Sequence, residues 1–202
     1  YRVPLGAGKL SMGLGLGLKM IQADWTQVRT TIPGDVEFAA DTRGGMRPDF
    51  SAGAYYCDKR FFLGLSLPFI LSQHFDARTE QVIVTNDPGQ YQPMLTGGML
   101  VPIDQDLKLK PSVLLRKAGG EPVQADLNMN AIWKDRFWLG ASYRTNDAVC
   151  FSLEVLPKPQ FRLGYAYDLG ISTLNPYHGG SHEVMLQYEF GYRIKAKDPR
   201  YF

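Results

Sequence analysis

Between positions 9 and 21 every second residue is large and apolar. Leu10, Met12, Leu14, Leu16, Leu18 and Met20 share one parity, while Ser11, Gly13, Gly15, Gly17 and Lys19 share the other. Only an extended strand places alternate residues on opposite faces; on a helix the same leucines would scatter around the axis. One face of this segment is therefore greasy, and the other is glycine and polar. A chain built from such segments must hide or solvate two very different faces at once.

The pattern recurs down the chain. Phe61, Leu63, Leu65 and Leu67 alternate with Phe62, Gly64 and Ser66. Val123, Ala125, Leu127, Met129, Ala131 and Trp133 alternate with Gln124, Asp126, Asn128 and Asn130. Further alternating runs lie at 50–56, 107–116, 137–144, 149–155, 161–168 and 183–192, with a run blurred by Gly97 and Gly98 at 95–101. These are about ten strands, each near the length that crosses a bilayer with tilt. No segment reads as a helix, and no connection leaves room for a crossover helix, so successive strands should pair antiparallel.

The connections sort by length. Asp58-Lys59-Arg60, Asp104-Gln105-Asp106, Lys134-Asp135-Arg136 and Pro157-Lys158-Pro159 are tight turns. Those between them, at 22–49, 70–90, 117–122 and 169–181, are longer; only Thr145-Asn146-Asp147 breaks the rule. Short and long connections taking turns are the signature of a transmembrane barrel, with short periplasmic turns and longer outer loops. Aromatics agree. Tyr56 and Phe61 flank one short turn, Trp133 and Phe137 another, and Phe161 follows a third, all on the apolar parity. Amphipathic rings at strand ends fit a membrane-interface girdle, although hairpin-end pairs in a soluble sheet would read the same way.

The fold expected is all-β, an antiparallel transmembrane β-barrel occupying one domain over 1–202. Its apolar face would meet lipid, and its polar face would line the lumen. That polar set holds both signs: Lys108, Lys110, Arg116, Arg144 and Arg162 against Asp126, Glu154, Asp168, Glu183 and Glu189. Opposite charges on facing strands should pair and fill the lumen, which predicts a narrow or plugged barrel. The formal net charge of +2 gives no reason to expect a nucleic-acid partner. No run approaches the roughly 18 apolar residues of a spanning helix. The chain opens at Tyr1 without a Met or a signal sequence and reads as processed or truncated. Cys57 and Cys150 lie far apart and form no C-x-x-C motif, leaving both a disulfide and two separate thiols open.

Candidate chemistry is sparse. Gly13, Gly15 and Gly17 imitate a dinucleotide-binding run, but they sit inside a strand, where that motif needs a strand before it and a helix after it. Their expected role is to leave space on the polar face. His178 and His182 have a zinc-like spacing on a helix, yet Gly179-Gly180-Ser181 between them is turn-like. Ser181, His182 and Glu183 are triad residue types whose side chains diverge along a strand. His74 has no recognisable partner in its loop. No catalytic, cofactor or metal site is therefore expected, and the chain is read as a non-enzyme.

The C-terminal half carries a resemblance. Lys110-Pro111-Ser112-Val113-Leu114-Leu115, Pro122-Val123-Gln124-Ala125-Asp126-Leu127-Asn128 and Trp138-Leu139-Gly140-Ala141-Ser142-Tyr143-Arg144 occur in that order. Gly164-Tyr165-Ala166-Tyr167-Asp168, Ser181-His182-Glu183-Val184-Met185-Leu186 and Pro199-Arg200-Tyr201-Phe202 follow. This succession resembles the PorP/SprF family of Bacteroidota outer-membrane proteins, specifically over 107–202 and more loosely over 1–102. The resemblance implies a component of type IX secretion and gliding motility in the cell outer membrane. It implies a role in secreting or anchoring a large surface adhesin or sorting-domain cargo, and partners among periplasmic secretion and peptidoglycan-binding proteins. It also implies N-terminal strands and a signal peptide beyond this chain, for an intact barrel of about fourteen strands. The family brings no catalytic residues. Its motif positions Tyr143, Arg144, Tyr165, Tyr167, Asp168, Ser181, His182 and Glu183 read mainly as structural, with Arg144 and Asp168 as candidates for one buried lumen network.

Two rivals stand beside this reading. One is an outer-membrane porin or transporter for a small or apolar solute. The other is a soluble β-sandwich, in which Leu14, Leu65, Leu127 and Leu186 would pack together in a common centre.

Overall fold

A computed structural model of the chain describes residues 1–20, 22–24, 27, 42–43, 46–76, 81–172 and 179–190. The strands run β1 (Arg2–Leu5), β2 (Gly8–Lys19), β3 (Gln22–Ala23), β4 (Thr42–Arg43), β5 (Arg47–Cys57), β6 (Phe61–Leu67), β7 (Ser72–Asp76) and β8 (Gln81–Thr85). They continue as β9 (Met94–Met99), β10 (Val101–Pro102), β11 (Leu107–Arg116), β12 (Gln124–Trp133), β13 (Phe137–Arg144), β14 (Ala148–Lys158), β15 (Phe161–Gly170) and β16 (Ser181–Tyr188). No α-helix occurs among the described residues; a 3₁₀ turn, Pro88–Gln90, is capped by the Asp87 carboxylate.

Twelve strands form one sheet in the order β1-β2-β5-β6-β9-β11-β12-β13-β14-β15-β16, with β10 paired to β11. Every neighbouring pair is antiparallel. Two small ladders, β3 with β4 and β7 with β8, stand apart from it. Each alternating segment expected from the sequence holds a strand, although the last of them, expected over 183–192, ends at Tyr188, and Ile21, Gly191 and Tyr192 lie outside the described residues. The sheet adds β1 and β10, which at four and two residues are too short to show a period. The long connection at 70–90 is corrected to a hairpin, since Gln81–Thr85 is β-branched and extended but too short to read as a spanning strand. The described sheet is open, with β1 and β16 at its edges.

The hairpins place the ends of the strands. Asp58 and Asp104 close two short turns in the same way. The Asp58 carboxylate accepts the Arg60 and Phe61 amides at 2.6 and 2.8 Å, and the Asp104 carboxylate accepts those of Asp106 and Leu107, both at 2.7 Å. These side chains stand in for a backbone acceptor and fix where each new strand starts. The β12–β13 turn is different: three residues link Trp133 to its cross-strand partner Phe137, Lys134 and Asp135 both have positive φ, and the Arg136 amide donates to the Trp133 carbonyl at 3.1 Å. All these short turns fall at one end of the sheet. The longer connections, with the short turn at 145–147, fall at the other.

The faces are inverted relative to a water-soluble sheet. Leu14 is 90% exposed, and Leu65, Leu127 and Leu186 are exposed as well. The common centre required by a soluble sandwich is absent from these residues. The buried positions lie on the opposite, polar parity: Ile132, Trp138, Leu156, Ala148 and the carboxylates Asp49 and Asp126. Aromatic pairs stand at the short-turn end of the exposed face, Tyr56 with Phe61 at 5.4 Å and Trp133 with Phe137 at 5.5 Å between ring centres.

Candidate functional site

The polar face of β11 to β15 carries the densest side-chain chemistry. At its long-connection end the network centres on Asp126, whose side chain is nearly buried. Arg144 Nε lies 3.2 Å from Asp126 Oδ1, and Arg116 reaches Asp126 Oδ2 at 3.5 Å. Arg144 extends a second arm to Asp147 at 3.2 Å. Register explains this: Asp126 and Arg144 sit directly opposite each other on β12 and β13, and Leu114 of β11 faces Asp126 from the other side. A carboxylate shielded from water needs such donors, because an unpaired buried charge costs several kcal/mol. The turn above is fixed by Thr145, whose hydroxyl accepts the Ala125 amide at 3.0 Å. A cavity of about 560 Å³ opens here, lined by Arg116, Lys117, Glu121, Gln124, Thr145 and Asp147 among others. Its charges balance, two cations against two carboxylates, so it offers no field to attract a polyanion.

At the short-turn end the same face changes character. Arg162 binds Glu154 at 3.0 Å and lies 5.2 Å over the Trp138 ring. Lys110 lies over both Phe62 and Trp138. Ile132, Trp138 and Leu156 pack into one buried cluster with Leu100 against it.

The family-motif residues divide between the two faces. Arg144, Asp168, Ser181 and Glu183 lie on the polar face, whereas Tyr165, Tyr167 and His182 come together on the exposed one. The Tyr165 hydroxyl is 2.6 Å from His182 Nδ1, the Tyr167 ring centre is 4.7 Å from that of His182, and the Tyr167 hydroxyl donates to the Gly179 carbonyl at 3.0 Å. These contacts tie the β15–β16 hairpin to its loop; Tyr143 stands exposed on the same outward side. His178 lies outside the described residues, as does the closing Pro199-Arg200-Tyr201-Phe202.

Arg144 and Asp168, candidates for one buried network, make no direct ion pair with each other among the described residues. Arg144 is spent on Asp126 and Asp147. Asp168, two strands away, faces Cys150 and leaves its Oδ1 buried without a hydrogen-bond partner. Cys57 and Cys150 are both free. Among the described residues no group of His, Cys, Asp or Glu is arranged to hold a metal. Sequence reasoning missed the inner cluster. Its signal was present as three large apolar residues on the polar parity, Ile132, Trp138 and Leu156, each close to a short turn.

An antiparallel sheet with its leucines exposed, its charges paired inside and its hairpins sorted by length defines a membrane-type β-protein. The particular family follows. The chain belongs to the PorP/SprF family of type IX secretion system membrane proteins, whose family model matches residues 1–188. A search of curated proteins finds none that matches the chain.

Proposed function

We propose that this chain is the wall of an outer-membrane β-barrel that anchors, or helps secrete, a large surface adhesin or sorting-domain cargo. The observation that carries the reading is the exposed apolar face of a family member of the type IX secretion machinery. A face led by Leu14, Leu16, Leu139, Val184 and Leu186 needs a non-aqueous neighbour, and lipid is the neighbour that suits every strand alike. In this orientation the long connections meet the cargo outside. The short turns, charged at Asp58, Arg60, Asp104, Asp106, Lys134 and Asp135, meet periplasmic secretion or peptidoglycan-binding partners. The role is one of holding and positioning, without catalysis or cofactor.

Two measurements test it. The full-length protein should float with lipid vesicles and migrate faster unheated than boiled, as folded barrels do. Deletion of the gene should abolish surface display of a specific secreted protein while leaving small-solute permeability unchanged. A protein soluble without detergent, or a deletion that alters solute uptake and spares every surface protein, would sink the proposal.

A further inference from the structure

The large buried apolar side chains of the polar face, Ile132, Trp138 and Leu156, are gathered at one end. Ile132, Trp138, Leu156 and Leu100 form one cluster beside the short turns. Ile132 is 0% exposed although the described sheet is open, so its cover comes from neighbours on its own face. The rim beneath is stitched turn to turn by backbone bonds: Leu100 to Arg60 at 2.6 Å, Lys134 to Asp106 at 2.7 Å, Leu156 to Arg136 at 2.8 Å and Glu189 to Gln160 at 2.9 Å. Such a rim gives the cluster a rigid seat.

A line of rings and cations crosses the face next to this floor. Lys110 Nζ stands 5.5 Å from the Phe62 ring and 5.6 Å from the Trp138 ring, and the Arg162 guanidinium stands 5.2 Å from Trp138. Neighbouring strands are about 4.8 Å apart. Lys110 on β11 therefore bridges to β6 on one side and β13 on the other, each two strands away. Arg162 and Glu154 carry the line on to β14 and β15. Phe62 lies flat across the face because Gly98 stands opposite it; a Cβ there would come within 2.6 Å of the Phe62 ring.

We propose that this assembly is a stopper, closing the polar interior at the short-turn end and making the barrel non-conducting. This rests on the barrel reading above. An apolar constriction excludes ions by expelling water from the narrow passage, and the cation–aromatic line removes the space beside it. The interior is left with one mouth, at the long-connection end, where the cavity walled by Arg116 and Asp147 opens.

The test is ion conductance of the full-length protein in planar bilayers, with heat-modifiable migration as the check on folding. Wild type should insert and stay silent. The triple variant Ile132→Ala/Trp138→Ala/Leu156→Ala should insert and conduct in discrete steps, with ion flux up at least about tenfold once the constriction wets. Leu139→Ala, on the exposed face, should stay silent. If the triple variant does not fold, Trp138→Ala alone is measured against the same baseline with the same expectation. A wild type that conducts, or a folded floor variant that stays silent, overturns the stopper and leaves the barrel reading standing. Failure of the wild type to insert or to show heat-modifiable migration overturns the barrel reading itself.

Discussion

Asp126 shows how a single residue is committed by its surroundings. Its carboxylate is buried, and it holds two arginines, Arg116 and Arg144, whose partners alternation along the chain leaves open. Replacing Arg144 with Ala leaves Arg116 at 3.5 Å as the remaining partner, so the loss is partial: about 1–3 kcal/mol, the cost of an under-satisfied buried acceptor. Asp147→Ala removes only the exposed arm and should cost under about 1 kcal/mol. Urea titration of folding into lipid vesicles compares the two; equal effects would show that Asp126 does not depend on Arg144. Gly98 makes a second prediction. A methyl group there would meet the Phe62 ring, the Ser112 Cβ and the Pro111 carbonyl, all within 2.8 Å. Because a backbone oxygen is among them, the collision cannot be relieved by a rotamer change alone. Gly98→Ala should lower stability by about 1–3 kcal/mol in the same titration, while Gly13→Ala, with nothing within 4 Å, should not.

Hairpins are the units that set register, and their turn chemistry is local. The Asp58 carboxyl is held below the usual carboxylate range by the Phe61 amide first and the Arg60 amide second. A carboxylate with a lowered folded pKa contributes stability above its unfolded value of about 4. That contribution is lost as pH falls through the folded value, so the β5–β6 hairpin should loosen in acid and be indifferent near neutrality. Asp58→Asn keeps an acceptor for both amides and should remove this acid dependence while sparing the turn. Asp58→Ala should weaken the turn at every pH. Hydrogen exchange of the Arg60 and Phe61 amides at pH 3 and pH 7 reads both outcomes; an acid response that survives in Asp58→Asn would assign it to another group.

For the whole molecule, the question is what covers the outward face. Met129 is a decisive probe because it is exposed and sits near the middle of β12, away from Trp133 at the short-turn end. Against lipid, Met129→Arg should cost about 2–4 kcal/mol, since a charge is carried into the middle of the hydrocarbon. Against water, the same change at an exposed site should stay within about 0.5 kcal/mol. The vesicle-folding midpoint separates the two. The sheet's two edges belong to this scale as well: unpaired strand edges are not tolerated in hydrocarbon, so β1 and β16 need partners that the described residues do not supply.

Which side of each strand is greasy, where the short turns fall and that neighbours run antiparallel could all be read along the chain. These are period-two and turn-chemistry properties, carried by residues adjacent in the chain, and so β6, β11 and β13 could be read to the residue from Phe61, Leu107 and Phe137 onward. It took the folded sheet to reveal that Arg144 takes Asp126 over Asp168, that Tyr165, Tyr167 and His182 gather outside, and that Lys110 joins Phe62 to Trp138. Those choices depend on cross-strand register and on how far a side chain reaches over its neighbours. Both bring together residues tens of positions apart, about which alternation along one strand carries no information.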